Sequence, residues 1–368
     1  GFVGMMELNC LCDIYSGYAF KSFNDTSDGI PVIKIGNILS DGTIELTDCV
    51  YTEEVPKEKY YSKKDDIYIA LSGATTGKIG VMQTDGLYVI NQRVGIIRNK
   101  GKIPNDYLKY FLVSKSNQIL KEASGCAQPN ISPKQISKYD ISIQTEEKML
   151  LITQQLKKIE VILQNYRNQI DLLDELVKAR FVEMFGDMKP TVKLNKYIIE
   201  LRAGKSLAGN EICKNKVLKT GAATFGFFDK DQYKYYPKEY KPNPLHKVET
   251  GDVIISRMNT PELVGACSYV YEAPDNTYYP DRLWKVIVNE NTNPIFLWQL
   301  MWQQEIRKQI KENSYGTSGT MNNISKIKLL NINAIDVPIS LQNQFADFVK
   351  EVDKSRFIIK SMIKEGLL

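Results

Sequence analysis

Between Thr145 and Phe185 the chain contains neither Gly nor Pro, and its apolar residues recur at a fixed stride. Met149, Ile152, Leu156, Ile159, Leu163, Tyr166, Ile170, Leu173 and Val177 advance by alternating steps of three and four. That stride averages about 3.5 residues, the period of a coiled-coil seam. Thr145 suits the N-cap, Glu146 and Glu147 the positive end, Lys178 and Arg180 the last turn, and Gly186 the stop. The pattern predicts one helix of about 40 residues, roughly 60 Å long. An apolar stripe of that length needs a partner. Phe345, Phe348, Val352, Ile359 and Met362 carry the same phase near the C-terminus, with Ser355 as the polar interruption. These two helices are expected to pair, unless the second packs only on its own domain.

The remaining sequence alternates short apolar runs with Gly, Asn and Asp turns, and the runs occur twice in the same order. Gly17 in "IYSGYAF" answers Gly204 in "LRAGKSL", and "VIKIG" at 32–36 answers "VLKTG" at 217–221. "DIYIALSGATTGKIG" at 66–80 answers "DVIISRMNTPELVG" at 252–265, and "NQRVGII" answers "PDRLWKVIV", aligning Arg93 with Arg282. "GCAQPNIS" at 125–132 then answers "SGTMNNIS" at 318–325, and "DISI" answers "DVPI". The preserved order predicts domain, long helix, domain, long helix. Strand-like runs mixed with helical stretches such as 105–124 and 294–313 make each domain α+β. Trp298 and Trp302, four apart, read as a core face. The expected boundaries are 1–144, 145–186, 187–339 and 340–368. An antiparallel coiled coil of the two helices would relate the domains by a pseudo-two-fold axis. Duplex DNA has local two-fold symmetry, so such a pair of unlike domains suits two unlike half-sites at a fixed spacing.

Composition narrows the class without naming it. The 368 residues allow two domains with real cores, and 43% hydrophobic with 25% charged residues is ordinary for a globular protein. A net charge of +5 permits a nucleic-acid partner only if the basic residues cluster. No apolar run approaches the roughly 20 residues of a membrane span, and no leader pattern is visible, so a cytoplasmic protein is expected. Six scattered cysteines have no zinc-site spacing, and the single histidine, His246, has no nucleophile to serve. "GATTGKI" at 73–79 has three residues between its glycines and Ile79 where a phosphate-binding loop needs Ser or Thr, so it reads as a strand-ending turn. No Asp/Asn-Pro-Pro-aromatic methyltransferase tetrad and no nuclease metal element occurs. The chain is expected to be no enzyme and to hold no metal.

"GCAQPNIS" before a strand, "EEKMLLITQQLKKIE" and "KARFVEMFGD" closing the central helix resemble the specificity subunit of type I restriction–modification systems. The resemblance covers essentially the whole chain. Its second copy departs, with Met321 and Asn322 in place of the Gln-Pro pair. It implies two target recognition domains, each reading half of a split asymmetric target in double-stranded DNA, and conserved helices that set the spacing. It implies no catalysis here. Two modification subunits would methylate adenine with S-adenosylmethionine, and restriction subunits would use ATP and Mg to translocate and cut. The competing reading is a silent or partial copy that acts only as an assembly scaffold.

Base reading needs Arg, Lys, Asn or Gln at groove edges, and phosphate holding needs cations, hydroxyls or backbone N–H. In the first domain the loop candidates are Lys21, Ser22, Asn37, Ser72, Thr75, Thr76, Lys78, Asn91, Gln92, Arg93, Gln128 and Asn130. In the second they are Arg202, Lys205, Arg257, Asn259, Tyr278, Tyr279, Arg282, Ser318 and Asn322. Arg93 and Arg282 either bridge a carboxylate or contact a base, while Gln128 and Asn130 either touch DNA or hold the domain to its helix.

Overall fold

A computed structural model of the chain describes residues 3–24, 27–123, 129–316 and 321–366. It divides into two compact units, 1–164 and 165–368, with the division inside the long helix.

The first unit contains β1 (Gly4–Glu7), β2 (Cys12–Ser16), β3 (Ile30–Ile33), β4 (Val50–Thr52), β5 (Ile67–Ala70), β6 (Ile79–Val81), β7 (Val89–Ile90), β8 (Val94–Asn99) and β9 (Asp140–Ile143). Its helices are α1 (Asn105–Ser114), α2 (Ser116–Ala123), α3 (Pro133–Ile136) and the start of α4 (Glu146–Phe185). The strands form an antiparallel sheet β2-β8-β5-β6, a three-stranded sheet β4-β3-β7 and the pair β1-β9. Strand alternation explains the layering. Ile67 and Ile69 of β5 join Leu108, Leu112, Ile119 and Met149 on the helical side. Tyr68 and Ala70 join Ile33, Ile90 and Ile96 on the side of the smaller sheet. Every residue of β5 is therefore buried.

The second unit contains β10 (Pro190–Lys193), β11 (Ile198–Ala203), β12 (Lys216–Leu218), β13 (Tyr233–Tyr235), β14 (Val253–Ser256), β15 (Met258–Asn259), β16 (Cys267–Tyr269), β17 (Thr277–Tyr278), β18 (Leu283–Val288), β19 (Asn322–Asn323) and β20 (Asn333–Ile335). Its helices are α5 (Pro294–Met301), α6 (Gln304–Asn313), α7 (Lys326–Leu330) and α8 (Ile339–Gly366). The sheets repeat the first unit's order: β11-β18-β14-β16, β13-β12-β17 and β10-β20. The short pair β15-β19 stands where the described residues of the first unit form a single Ser72–Asn130 bridge. The echoing glycines do the same work in both units. A Cβ at Gly17 would collide with the carbonyl of Ile90, and one at Gly204 with that of Tyr279.

The α+β class and the duplicated order stand as read from the sequence. Two helical runs break where single helices were expected. The 105–124 run stops at Lys115, whose N–H closes back on Leu112 O and Val113 O. The 294–313 run turns at Trp302 and Gln303, where Trp302 Nε1 donates to Cys267 O at 2.8 Å.

α4 begins as the pattern requires, with Thr145 Oγ1 accepting the Lys148 N–H at 3.4 Å. In the first unit Met149 enters the core, Ile152, Leu156 and Leu163 are half-buried, and Lys157 and Glu160 bridge to Asp106 and Lys109 of α1. In the second unit α4 and α8 pack antiparallel. Phe181 and Phe185 lie against Phe345, Arg180 over Phe348, and Asp174 against Arg356. Val177 and Val352 are buried here, while Tyr166, Ile170, Leu173, Phe348 and Ile359 are half-buried. Two seam assignments are corrected: Ile159 is 46% exposed and Met362 47% exposed. Near Ile159 the helix is held by charge against α1 rather than by an apolar seam, and Met362 lies beyond the aromatic stretch.

Candidate nucleic-acid interface

In the first unit the strand β8 starts from a loop that carries Gln92 and Arg93 outward. The Arg93 N–H donates to Asn91 Oδ1 at 3.1 Å, which fixes the loop and leaves both neighbouring side chains exposed. The turn after β5 needs Gly73 and Gly77, each at φ 85°. It is tied to the far side of the unit by Gly73 N–H on Pro129 O at 3.1 Å and by the Ser72–Asn130 bridge. These connections bring Ser72, Gln92, Arg93 and Asn130 to one open cleft of about 350 Å³, with Ser16 and Ser132 on its rim. "GATTGKI" is thus the strand-ending turn, and Leu71 and Ser72 just before it line the cleft opposite Asn130 and Ile131.

Several candidates of the first unit serve the fold instead. Asn37 is buried; its Nδ2 donates to Glu45 O and Asp48 O and its Oδ1 accepts from Lys34 N–H. Thr76 is buried with its hydroxyl on Gly73 O at 2.7 Å, and Asn91 is spent on Arg93 N–H. A side chain already desolvated and hydrogen-bonded has no groove edge to read, so these three assignments are corrected. Thr75 and Lys78 are half-buried beside the turn, with Thr75 Oγ1 unpartnered among the described residues. Lys21 and Ser22 are exposed and lie apart from the cleft, their N–H groups donating to Glu54. Gln128 and Ser318 lie outside the described residues.

The second unit has a basic cleft that shares with the first only the corner at Arg282, the counterpart of Arg93. A cleft of about 480 Å³ is lined by Ser206, Leu218, Lys219, Thr220, Lys234, Pro280, Asp281 and Arg282. Asp281 is held by Ser206 Oγ. None of the described carboxylates pairs with Lys219, Lys234 or Arg282. Lys205 is also exposed nearby in sequence, whereas Arg202 is bound by Glu200 through Nε at 3.1 Å and Nη2 at 2.6 Å. Burial and the cations Arg202 and Lys205 hold the His246 pKa below its ordinary value.

Other candidates here are engaged. Arg257 Nε donates to Asn323 Oδ1 at 3.2 Å, Asn259 Nδ2 to Thr224 Oγ1 at 3.3 Å, and Asn322 Nδ2 to Ser314 Oγ at 2.8 Å. All three brace the β15-β19 pair while staying half-exposed. Tyr278 packs half-buried against Tyr236. Tyr279 is fully buried with its hydroxyl on Asp252 at 3.0 Å, which corrects its assignment as a surface contact.

Sequence reasoning missed Lys219 and Lys234. A signal was present in "DQYKYYPKEYKP", where Lys and Tyr interleave, and in the lysine common to "VIKIG" and "VLKTG". It also missed Lys216, whose ammonium lies 4.5 Å over the Tyr233 ring, itself against Tyr235. In the first unit Lys34 sits 3.9 Å over Phe23. Such cation–aromatic surfaces suit nucleic-acid backbones.

Among the described residues no three His, Cys, Asp or Glu side chains gather as metal ligands, and no helix is long and apolar enough to cross a membrane.

Residues 3–178 match the model of a family described as type I restriction modification DNA specificity domain. The chain is similar in fold to the S subunit of a type I restriction–modification system from M. genitalium, at 14% identity and TM-score 0.53, over 99% of this chain and 92% of that one. It is also similar to the HsdS subunit from Thermoanaerobacter tengcongensis, at 14% identity and TM-score 0.38, over 98% and 91% of the two chains. No curated protein sequence matches it.

Proposed function

We propose, from the match of residues 3–178 to the type I restriction modification DNA specificity domain, that the chain directs a modification–restriction complex to a split DNA target. Each unit supplies one recognition domain and reads one half-site in double-stranded DNA. The observation that carries this reading is the duplicated sheet order with an open polar or basic cleft in each copy. Unlike linings suit unlike half-sites. In the first cleft Arg93 and Gln92 have the donor geometry for guanine and adenine edges. In the second, three unpaired cations suit phosphates, with Arg282 placed to reach a base as well.

The long helices fix the spacing and offer surface to partners. Leu172, Leu176 and Val182 on α4 and Phe357 and Ile358 on α8 are exposed in the second unit. They suit docking of two modification subunits, with restriction subunits joining the assembly. S-adenosylmethionine, ATP and Mg belong to those partners, and this chain contributes recognition without catalysis. A cytoplasmic location follows from DNA as the target.

The test is methylation-sensitive sequencing of host DNA with and without the gene. Loss of methyladenine at one split motif is expected and would define both half-sites. An unchanged methylome would replace this reading with the scaffold that binds partners but selects no DNA.

A further inference from the structure

Where α8 runs back along α4, the expected apolar seam is interrupted by charge. Arg356 is 2% exposed and Asp353 1% exposed. The Arg356 guanidinium pairs with Asp353 one turn earlier and donates from Nη2 to Asp174 Oδ1 of α4 at 2.5 Å. Asp353 in turn accepts from the Tyr271 hydroxyl at 2.5 Å, and Tyr271 follows the edge strand β16 of the recognition domain. Phe227, on the loop after β12, lies under both Arg356, 4.6 Å from the ring centroid, and Lys360, at 4.4 Å. One buried side chain therefore touches the other helix and, through Asp353 and Phe227, two separate parts of the domain.

An apolar seam alone does not define register well, because one Leu or Val fits a neighbouring hole nearly as well as its own. A buried forked cation does, since a shift by one turn leaves a desolvated charge unpaired. We propose that Arg356, with Asp174, Asp353 and Tyr271, is a positioning device that locks the register of α8 on α4 and the orientation of the second recognition domain on that pair. Its consequence is spacer selectivity: the second half-site is accepted only at one distance along the DNA. That consequence rests on the recognition reading above, while the register itself does not.

The experiment separates the two. A full-length variant with Arg356→Met, Asp353→Leu and Asp174→Leu removes the three paired charges, leaves Lys360 in place and keeps the volume apolar. Genetically encoded spin labels at exposed Leu172 and Ile358 report the helix register by electron–electron distance. The wild type is expected to give one narrow distance and the triple variant several. In the complex with its modification subunits, methylation of targets whose spacer is one base pair too short or too long is expected to rise about tenfold relative to the native spacer, with both half-site sequences still required. A folded triple variant with one unchanged distance overturns the lock, whatever happens on DNA. Several distances with an unchanged spacer profile overturn its link to selectivity. If the wild type methylates no split target, the recognition reading fails and the distances alone decide the lock. Should the triple variant fail to fold, Arg356→Lys carries the test. It keeps the charge but cannot hold Asp174 and Asp353 together, and unchanged distances and spacing in that variant would equally overturn the proposal.

Discussion

The two units share one sheet order yet solve the same local problems with different residues. Asp66 before β5 and Asp252 before β14 occupy matching positions, and each is nearly buried. In the first unit Arg98 grips both oxygens of Asp66, at 2.7 and 2.6 Å. In the second, Lys285 reaches Asp252 at 3.1 Å and Glu249 at 2.5 Å, and the Tyr279 hydroxyl and the Glu249 N–H also donate to Asp252. The strand registers put Asp66 beside Arg98 and Ile254 beside Lys285, so the two cations lie on the same sheet face two positions apart. Topology needs a cation for the buried carboxylate; which residue provides it is free to drift. The clefts differ too, one polar with a single arginine and the other carrying three cations that none of the described carboxylates pairs with.

The largest expected effects test how each unit holds its part of α4. Phe181→Ala removes a ring packed against Phe185, Phe296 and Phe345 and is expected to destabilise the second unit by about 3–5 kcal/mol. Met149→Ala in the first unit is expected to cost about 2–3 kcal/mol, at the lower end of the range for such truncations. Hydrogen exchange along the two halves of the helix, measured with thermal melting, checks both, and equal losses would erase the contrast.

The buried carboxylates come next. Arg98→Ala leaves the nearly buried Asp66 with the Lys63 N–H, at 2.9 Å, and without the cation that grips both its oxygens, and is expected to cost about 3–5 kcal/mol. Lys285→Ala leaves Asp252 with Tyr279 and the Glu249 N–H, so about 1–3 kcal/mol is expected. Burial raises the Asp252 pKa despite the opposing pull of the Glu249 N–H, Lys285 and Tyr279. A carboxyl raised above its unfolded value favours the protonated form in the fold. Its contribution is full below that value and is lost as pH rises through the folded one. Denaturant midpoints across the acidic range would show Lys285→Ala steepening that loss.

The clefts give smaller and more informative effects. Arg93→Ala is expected to relax one position of the first half-site by about 1–3 kcal/mol with little change in salt dependence. Lys219→Ala, Lys234→Ala and Arg282→Ala should each shallow the log–log salt slope by about 1. Binding titrations on matched and single-mismatch duplexes at several salt concentrations distinguish them. A reversed pattern would exchange the roles of the two clefts.

The smallest effect concerns His246. Because nearby Arg202 and Lys205 help to lower its pKa, the free fold favours neutral imidazole. That part of stability is full above the unfolded value of 6.5 and falls as pH drops through the folded one. A bound phosphate offsets those cations and raises the pKa, so DNA binding by the second unit should take up protons and tighten modestly below pH 6.5. His246→Gln should flatten that dependence in binding titrations across pH.

Much of the architecture was legible because it rests on periodicity, which neighbours in sequence encode. The α4 stride, its Thr145 cap, the ordered echoes and the Gly17 and Gly204 positions all express local rules of helix, strand and close backbone approach. Candidate contacts were less legible. Loop polarity singled out Asn37, Thr76, Asn91 and Tyr279 together with Arg93 and Arg282, because a hydroxyl or amide looks the same in sequence whether it faces water or a carbonyl. Lys219 and Lys234 escaped because they lie on or beside strands brought next to Arg282 by sheet pairing.

The sequence by itself determined the duplicated α+β plan, the long helices and the absence of recognisable catalytic motifs, since each follows from spacing along the chain. Tertiary structure alone decided which polar side chains stay free and where α4 and α8 meet. Arg356 shows why. It falls one residue after the polar interruption at Ser355 and off the apolar stride, and only the return of α8 to Asp174 turns a surface-type residue into a buried one. Desolvation depends on what arrives from elsewhere in the chain, and no local pattern carries that information.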